Sequence, residues 1–214
     1  MIDLKTYFDS VRSIVCLNGE LPAKDLFARK ANLPLIAADG AGSRLINMGI
    51  VPSIIIGDLD SVDKSTIPAH TEVISIPNQD TTDFEKVLLT IEKRELFPCL
   101  IYGATGLESD HTLYNLNIIA DYSLRHRIIF HDSAYKAKEK YGIFVSDRLT
   151  ANLKIGSKIS LLTLTSAVVS THGLTWDLEK TTLTPRISSA RNLIRENLIE
   201  INVHNGNLLV LFDS

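Results

Sequence analysis

Ile54-Ile55-Ile56-Gly57-Asp58-Leu59-Asp60-Ser61 sets a short apolar run against a turn that carries two carboxylates. The isoleucines read as a buried strand. Alternate residues of an extended chain face the same way, so Asp58 and Asp60 are expected to converge on one point. Two anions held that close repel unless a cation lies between them, and Mg²⁺ takes one or two carboxylates with phosphate oxygens completing its shell. The stretch reads either as a metal-phosphate site or as a plain Asp-rich turn after a strand.

Working outward, Ile14-Leu17, Leu35-Ala38, Ser53-Ile56, Glu72-Ile76, Cys99-Tyr102 and Arg127-His131 are further strand-like runs. Between them Ala23-Ala31, Gly42-Met48, Asp83-Arg94 and Thr112-Arg125 carry helical periodicity, the third opening on Thr82 as N-cap with Asp83 and Glu85 in its first turn. Such alternation predicts an α/β fold with a largely parallel sheet, and ligands of these sheets bind outside the carboxyl ends of the strands. After Asp132 the texture changes to short strands broken by Gly, Asn, Asp and Pro: Tyr141-Val145, Lys158-Leu164, Ala167-Thr171, Leu198-His204 and Asn207-Phe212. His204-Asn205-Gly206-Asn207 carries a hairpin signal, and Lys136, Lys138 and Lys140 read as a solvated edge strand. The predicted division is an α/β domain over residues 1–132 and an all-β domain over residues 133–214.

Composition narrows the function. The formal net charge of -3 argues against nucleic-acid or anionic-membrane binding driven by bulk charge. No apolar run approaches the roughly 18 residues that span a bilayer. Cys16 and Cys99, both inside apolar runs, read as buried thiols of a reducing compartment, so the expected location is the cytoplasm.

Polar clusters follow each strand of the first half: Asn18-Gly19, Asp39 to Ser43, Asp58 with Asp60, Asn78 to Asp83, and Gly103-Ala104-Thr105-Gly106 through Asp110-His111. Singly each is a turn; at one sheet edge they form a constellation suited to nucleotide phosphate. Gly40, Gly42, Gly103 and Gly106 are expected to let backbone N–H groups approach phosphate oxygens, and Asp58, Asp60, Asp83 and Asp110 supply more negative charge than one cleft tolerates without metal. No Walker loop and no Gly-x-Gly-x-x-Gly occurs, since Leu45 stands where the third Gly would be. Ser43 and Ser61 have no paired His and Asp, which ranks nucleophilic catalysis low.

In this order and spacing the segments resemble the thiamine pyrophosphokinase family. The resemblance is carried by Leu17-Asn18-Gly19-Glu20-Leu21-Pro22, Ala38-Asp39-Gly40 with Arg44-Leu45, Gly57 to Ser61, Asp80 to Lys86, Gly103 to Gly106 with Asp110 to Leu113 and Asn115, and Gly173-Leu174-Thr175-Trp176. It implies a Rossmann-like catalytic domain, a C-terminal β-sandwich, ATP and Mg²⁺ as co-substrate and cofactor, thiamine as acceptor, and a homodimer with shared sites. By position it implies Asp58, Asp60 and Asp83 as Mg²⁺-phosphate carboxylates and Asp110 as a further acid of the site. Asn18, Asp39, Gly40, Gln79, Thr82, Lys86, Gly103, Thr105 and His111 would contact the substrates, and Trp176 would stack on thiamine. Read on its own, Trp176 is a core or interface anchor, and His111 fits a proton carrier or a structural histidine equally.

Three segments depart from the family pattern. Leu107-Glu108-Ser109 replaces an Arg before the Asp-His pair, Asp39-Gly40-Ala41-Gly42-Ser43 alters a Gly-rich turn, and Ala190-Arg191 falls opposite the Ser-Asn of the thiamine pocket. Two other functions therefore stand beside thiamine pyrophosphorylation: a pyrophosphokinase for another heterocyclic alcohol such as a hydroxymethylpterin, and a thiamine or nucleotide sensor without turnover.

Overall fold

The computed structural model describes residues 2–60, 62–133 and 139–213. In chain order the elements are β1 (Ile2–Asp3), α1 (Leu4–Asp9), β2 (Ser13–Cys16), α2 (Lys24–Ala28), β3 (Leu35–Ala38), α3 (Ala41–Asn47), β4 (Ile54–Gly57), β5 (Glu72–Ser75), α4 (Asp83–Lys93), β6 (Cys99–Tyr102), α5 (Ser109–Tyr122) and β7 (Ile128–His131). They continue as β8 (Lys140–Val145), β9 (Arg148–Asn152), β10 (Lys158–Leu162), β11 (Ala167–His172), β12 (Thr181–Leu183), β13 (Ser189–Leu193), β14 (Leu198–Gly206) and β15 (Leu208–Asp213). The fold is mixed α/β with a β-rich C-terminal part. No helix among the described residues is long and apolar enough to cross a membrane.

The chain packs as two compact units, one of Val11–Ile118 with His131–Ala134, the other of Met1–Ser10, Ile119–Phe130 and Tyr135–Ser214. The division drawn from the sequence follows chain order, whereas packing assigns the first ten residues and the end of α5 to the β-rich unit. The edge strand read at Lys136 and Lys138 falls outside the described residues, and Lys140 opens β8.

In the first unit, the sheet runs β6-β2-β3-β4-β5, every pair parallel. The strands β2, β3, β4 and β6 are buried along their whole length, which is why they read as unbroken apolar runs rather than alternating ones. Cys16 and Cys99 are free thiols within this core, and burial pushes both pKa values up. The edge strand β5 is mostly exposed, and its Glu72 is clamped by Arg94 through two bonds of 2.6 and 2.8 Å. Helix α4 buries Phe84, Val87, Leu88 and Ile91, an i, i+3, i+4, i+7 stripe. Its start is fixed by a reciprocal capping box: the Glu85 N–H donates to Thr82 Oγ1 and the Thr82 N–H to Glu85 Oε2. Because β3, β4 and β5 extend one way from β2 and β6 lies on its other side, the strand order reverses between β2 and β6.

In the β-rich unit, β9, β14, β11 and β12 form an antiparallel series, with β1 added parallel to β9. A second antiparallel run is β13-β10-β15-β8. Helix α1 starts on Asp3, whose carboxylate accepts the Thr6 N–H at 3.0 Å, and buries Leu4 and Tyr7. The strands β1, β9, β12 and β13 and helix α1 are additional to the elements read from the sequence.

The hairpin expected at His204-Asn205-Gly206-Asn207 is a sheet switch instead. Strand β14 pairs with β9 and β11, while β15, one residue later, pairs with β8 and β10. Gly206 has φ +86°, and a Cβ there would run into the Ser166 carbonyl oxygen. Gly156, at φ +80°, has open space around it. Gly206→Ala should therefore cost about 2–4 kcal/mol of unfolding free energy, against about 1 kcal/mol for Gly156→Ala, where only the backbone conformation is penalised. Urea unfolding of the two variants measures the difference; equal losses would remove the steric role of Gly206.

Candidate active site

Each parallel strand of the α/β unit ends in a polar turn, and these turns line one pocket of about 1040 Å³. Asn18 enters from β2, Asp39 and Gly40 from β3, Asp58 and Asp60 from β4, Gln79 from the segment after β5, Gly106, Leu107 and Glu108 from the segment between β6 and α5, and Asp110 and His111 from the first turn of α5. The amino end of α4 contributes Thr82, Asp83 and Lys86.

Three carboxylates converge. One oxygen each from Asp39, Asp58 and Asp60 lies within 4.8 Å of the other two. The convergence of Asp58 and Asp60 expected from strand alternation is reached by a different route, because β4 ends at Gly57 and Leu59 turns into the left-handed region at φ +65°. The turn closes as the Asp60 N–H donates to Asp58 Oδ1 at 3.3 Å. A left-handed conformation costs a branched residue about 1–2 kcal/mol. Leu59 is buried, and burial of such a side chain gains about 2 kcal/mol, enough to hold the turn.

Asp39 is the buried member. Its N–H donates to the Ile56 carbonyl at 2.8 Å, and its Oδ1 accepts the Leu59 N–H at 3.1 Å. A Cβ on Gly57 would lie 2.7 Å from the Cβ of Asp39, so glycine there is what lets the two turns approach. Asp39 itself sits at φ +39°, a region Asp tolerates better than most residues.

The neighbours set the charge. Gln79 Nε2 donates to Asp58 Oδ2 at 2.8 Å, and this bond, more than the Asp60 N–H or the charge of Lys86, holds the Asp58 carboxyl below the usual range. Asp83 lies apart from the three-carboxylate cluster and pairs with the buried Lys86, Nζ to Oδ1 at 2.9 Å. Asp110 Oδ1 accepts the N–H of His111 at 2.8 Å, and both residues line the pocket. Arg44 is a further cation of the site: its Nη1 donates to the carbonyl oxygens of Asn18 and Gly19, both at 2.6 Å. Its place beside Leu45 in a matched segment was the one sequence signal for it.

Other predicted residues serve the scaffold. Gly103 and Thr105 do not line the pocket. Gly103, at φ +71°, packs on the Leu17 carbonyl, and Thr105 donates to Asp132 Oδ1 at 2.8 Å. Gly42 packs on Ile55 rather than facing the pocket. Trp176 belongs to the β-rich unit, where it is 60% exposed. Ala190 and Arg191 occupy a β-bulge: Ile159 pairs with Asn192 but Leu161 with Ser189, so β13 carries one extra residue, with Arg191 at φ +59°. Ser189 and Asn192, on either side of that pair, are hydrogen bonded through their side chains at 3.0 Å.

These features define an α/β protein whose open parallel sheet carries a carboxylate-rich pocket at the carboxyl ends of its strands. The family description "Thiamin pyrophosphokinase, catalytic domain" matches residues 27–130. Thiamine pyrophosphokinase 1 of Oryza sativa subsp. japonica is 24% identical over 224 residues, covering 88% of this chain and 82% of that protein. The 6-hydroxymethyl-7,8-dihydropterin pyrophosphokinase of Pyrococcus furiosus is 30% identical over 86 residues, 40% of this chain and 35% of that relative's length. Thiamin pyrophosphokinase from Candida albicans superposes with a TM-score of 0.80 at 14% identity, covering 99% of this chain and 92% of that one, a likeness of fold. Residues 27–130 thus match the catalytic domain of the thiamine pyrophosphokinase family, and the likeness to the Candida albicans enzyme is one of fold.

Loss of the Gln79 bond should raise the Asp58 pKa. A carboxylate whose pKa is depressed keeps its charge to lower pH, so in Gln79→Leu the acid limb of Mn²⁺ binding should move to higher pH while the plateau above neutrality stays. Titration of Mn²⁺ binding against pH checks this; an unmoved acid limb would detach Gln79 from the charge of the site.

Proposed function

We propose that the chain is a thiamine pyrophosphokinase, transferring a pyrophosphoryl group from ATP to the thiamine hydroxyl to give thiamine pyrophosphate and AMP. The observation that carries this reading is the convergence of Asp39, Asp58 and Asp60 in a pocket lined by the segment that matches the thiamin pyrophosphokinase catalytic domain. The donor set is all oxygen and all anionic, which fits Mg²⁺. When bound there, Mg²⁺ would neutralise phosphate charge. The chain's own residues do the rest: Gln79 keeps Asp58 ionised as a ligand, Asp83 holds Lys86 at the pocket wall, and Arg44 braces the β2 turn beside the phosphates. Catalysis is then positioning and charge neutralisation, without a covalent protein intermediate. The parallel sheet with its reversal between β2 and β6 supports a Rossmann-like catalytic domain, and the two antiparallel series support a β-sandwich. Two buried free thiols suit a cytoplasmic protein.

A second acceptor is favoured by one observation, the Pyrococcus furiosus relative, whose name specifies a hydroxymethyl dihydropterin. Charge argues for thiamine. Asp39, Asp58, Asp60, Asp83, Glu108 and Asp110 line the pocket against two cations, Arg44 and Lys86, and both cations are already engaged. A surplus of carboxylates attracts an acceptor with a fixed positive ring, which thiamine has and a neutral pterin lacks. Purified protein with ATP, Mg²⁺ and equal thiamine and 6-hydroxymethyl-7,8-dihydropterin should give thiamine pyrophosphate and AMP. ADP as the product, or preferential turnover of the pterin, would overturn this reading.

Trp176 is read as the surface that stacks on thiamine, contributed across a homodimer so that the partner subunit's Trp176 serves each acidic pocket. Closed two-fold pairing is the commonest self-association of soluble chains. Mixed Asp58→Asn and Trp176→Ala subunits, each with turnover reduced at least tenfold alone, should recover activity on exchange because one heterodimer site is intact. Exchange without recovery would place both residues in one subunit's site or remove Trp176 from it.

A further inference from the structure

Trp176 is the chain's only tryptophan. At 60% exposure its ring gains little from its own fold, so its orientation must come from the main chain beneath it. That main chain is gripped by one side chain. The Trp176 N–H donates to Asn192 Oδ1 at 3.2 Å, and Asn192 Nδ2 donates to the Trp176 carbonyl at 2.8 Å. The same amide donates its second hydrogen to Ser189 Oγ at 3.0 Å and accepts the Leu193 N–H at 2.8 Å. An asparagine side chain offers two donors and two lone pairs. All four are used, and Asn192 is 1% exposed, so nothing of it remains to touch a ligand.

The bulge is what delivers this contact. With Arg191 at φ +59° and its N–H on Ser160 Oγ at 3.0 Å, Ala190 and Arg191 stay at the surface while Asn192 turns inward. The loop on the other side is fixed independently: the Thr175 N–H donates to the Leu193 carbonyl at 2.9 Å, and Asp177 Oδ1 accepts from Leu174 N and Thr171 Oγ1, both at 3.0 Å. Asn192 is therefore not needed to hold the loop as a whole; its specific effect falls on one peptide unit, that of Trp176.

We propose that Asn192 is a positioning residue for the acceptor: it acts through Trp176, pre-setting the ring as a platform for the flat ring of thiamine, and makes no contact with the ligand. This rests on the reading of Trp176 as the thiamine-stacking surface. An ordered platform lowers the ordering cost at binding, so its loss weakens acceptor binding more than turnover.

The single tryptophan makes the test site-specific. Asn192→Asp keeps the size and the acceptor but loses both donors and sets a carboxylate against the Trp176 carbonyl. Thiamine titration should quench wild-type fluorescence saturably. In Asn192→Asp the emission should shift, and the thiamine Kd and KM should rise about tenfold, with a smaller fall in kcat and the KM for ATP within twofold. Ser189→Ala, which removes only the outer partner of the amide, should move the thiamine KM two- to fourfold in the same direction, and decides the matter if Asn192→Asp does not fold. Unchanged emission and thiamine KM in folded variants, or equal rises in both KM values, would overturn the positioning role. If wild-type fluorescence ignores thiamine and Trp176→Ala leaves its KM unmoved, the stacking reading fails, and the inference with it.

Discussion

The close approach of Asp39 to Gly57 is the contact on which the acidic pocket depends. Three carboxylates within 4.8 Å would spread apart if they were carried on free loops. Here two adjacent strand ends are locked to each other: Asp39 hydrogen bonds back to Ile56 and forward to the Leu59 N–H, and the absent side chain at Gly57 leaves the room. The strain of two left-handed residues, Asp39 and Leu59, is thus stored where the charges converge. Core burial meets that cost, since β3 and β4 are anchored by Ile36, Ile55 and Ile56, none with any exposed surface. A site built in this way is set before any ligand arrives, which is what charge neutralisation of phosphate requires.

The same logic explains what could be read from the sequence. Unbroken apolar runs in β3 and β6 and the stripe of α4 carry strong local signals, and their ends fall within a residue or so of the structure. β9, β12 and β13 are short or mix polar with apolar residues, as in Ser189-Ala190-Arg191-Asn192-Leu193, so their identity comes from pairing rather than from pattern. The turn at Asn205-Gly206 was visible as a turn, but a left-handed glycine serves a sheet switch as well as a hairpin, and partner choice lies in residues far along the chain.

For the site, the acidic residues after each strand announced a pocket, but not how they divide. Asp39 joins Asp58 and Asp60 because β3 and β4 are neighbours in register, a fact about the sheet. Asp83 carries the same charge and lines the same pocket, yet one turn of helix sets it against Lys86. Gly103 and Thr105 look like phosphate-loop residues, but they direct their contacts to Leu17 and Asp132, which fixes the turn that carries Gly106 and Glu108 to the pocket.

Insertion of a residue into a strand should reverse the facing of everything beyond it, because side chains alternate. In β13 the extra residue is absorbed in a bulge, and pairing resumes with Ser189 and Asn192 at Leu161 and Ile159. The family resemblance sets Ala190-Arg191 opposite the Ser-Asn of the thiamine pocket, and on its own implies a changed pocket. The backbone shows that Ser189 and Asn192 flank those two residues, and that the buried amide of Asn192 is fully satisfied by main chain and Ser189. A buried amide that left one of those bonds unmade would lose about 1–3 kcal/mol, so selection on stability alone resists its replacement once the bulge exists. What stability does not require is that the residue it grips should display a tryptophan to solvent, and it is that exposure which the proposed stacking on thiamine would use.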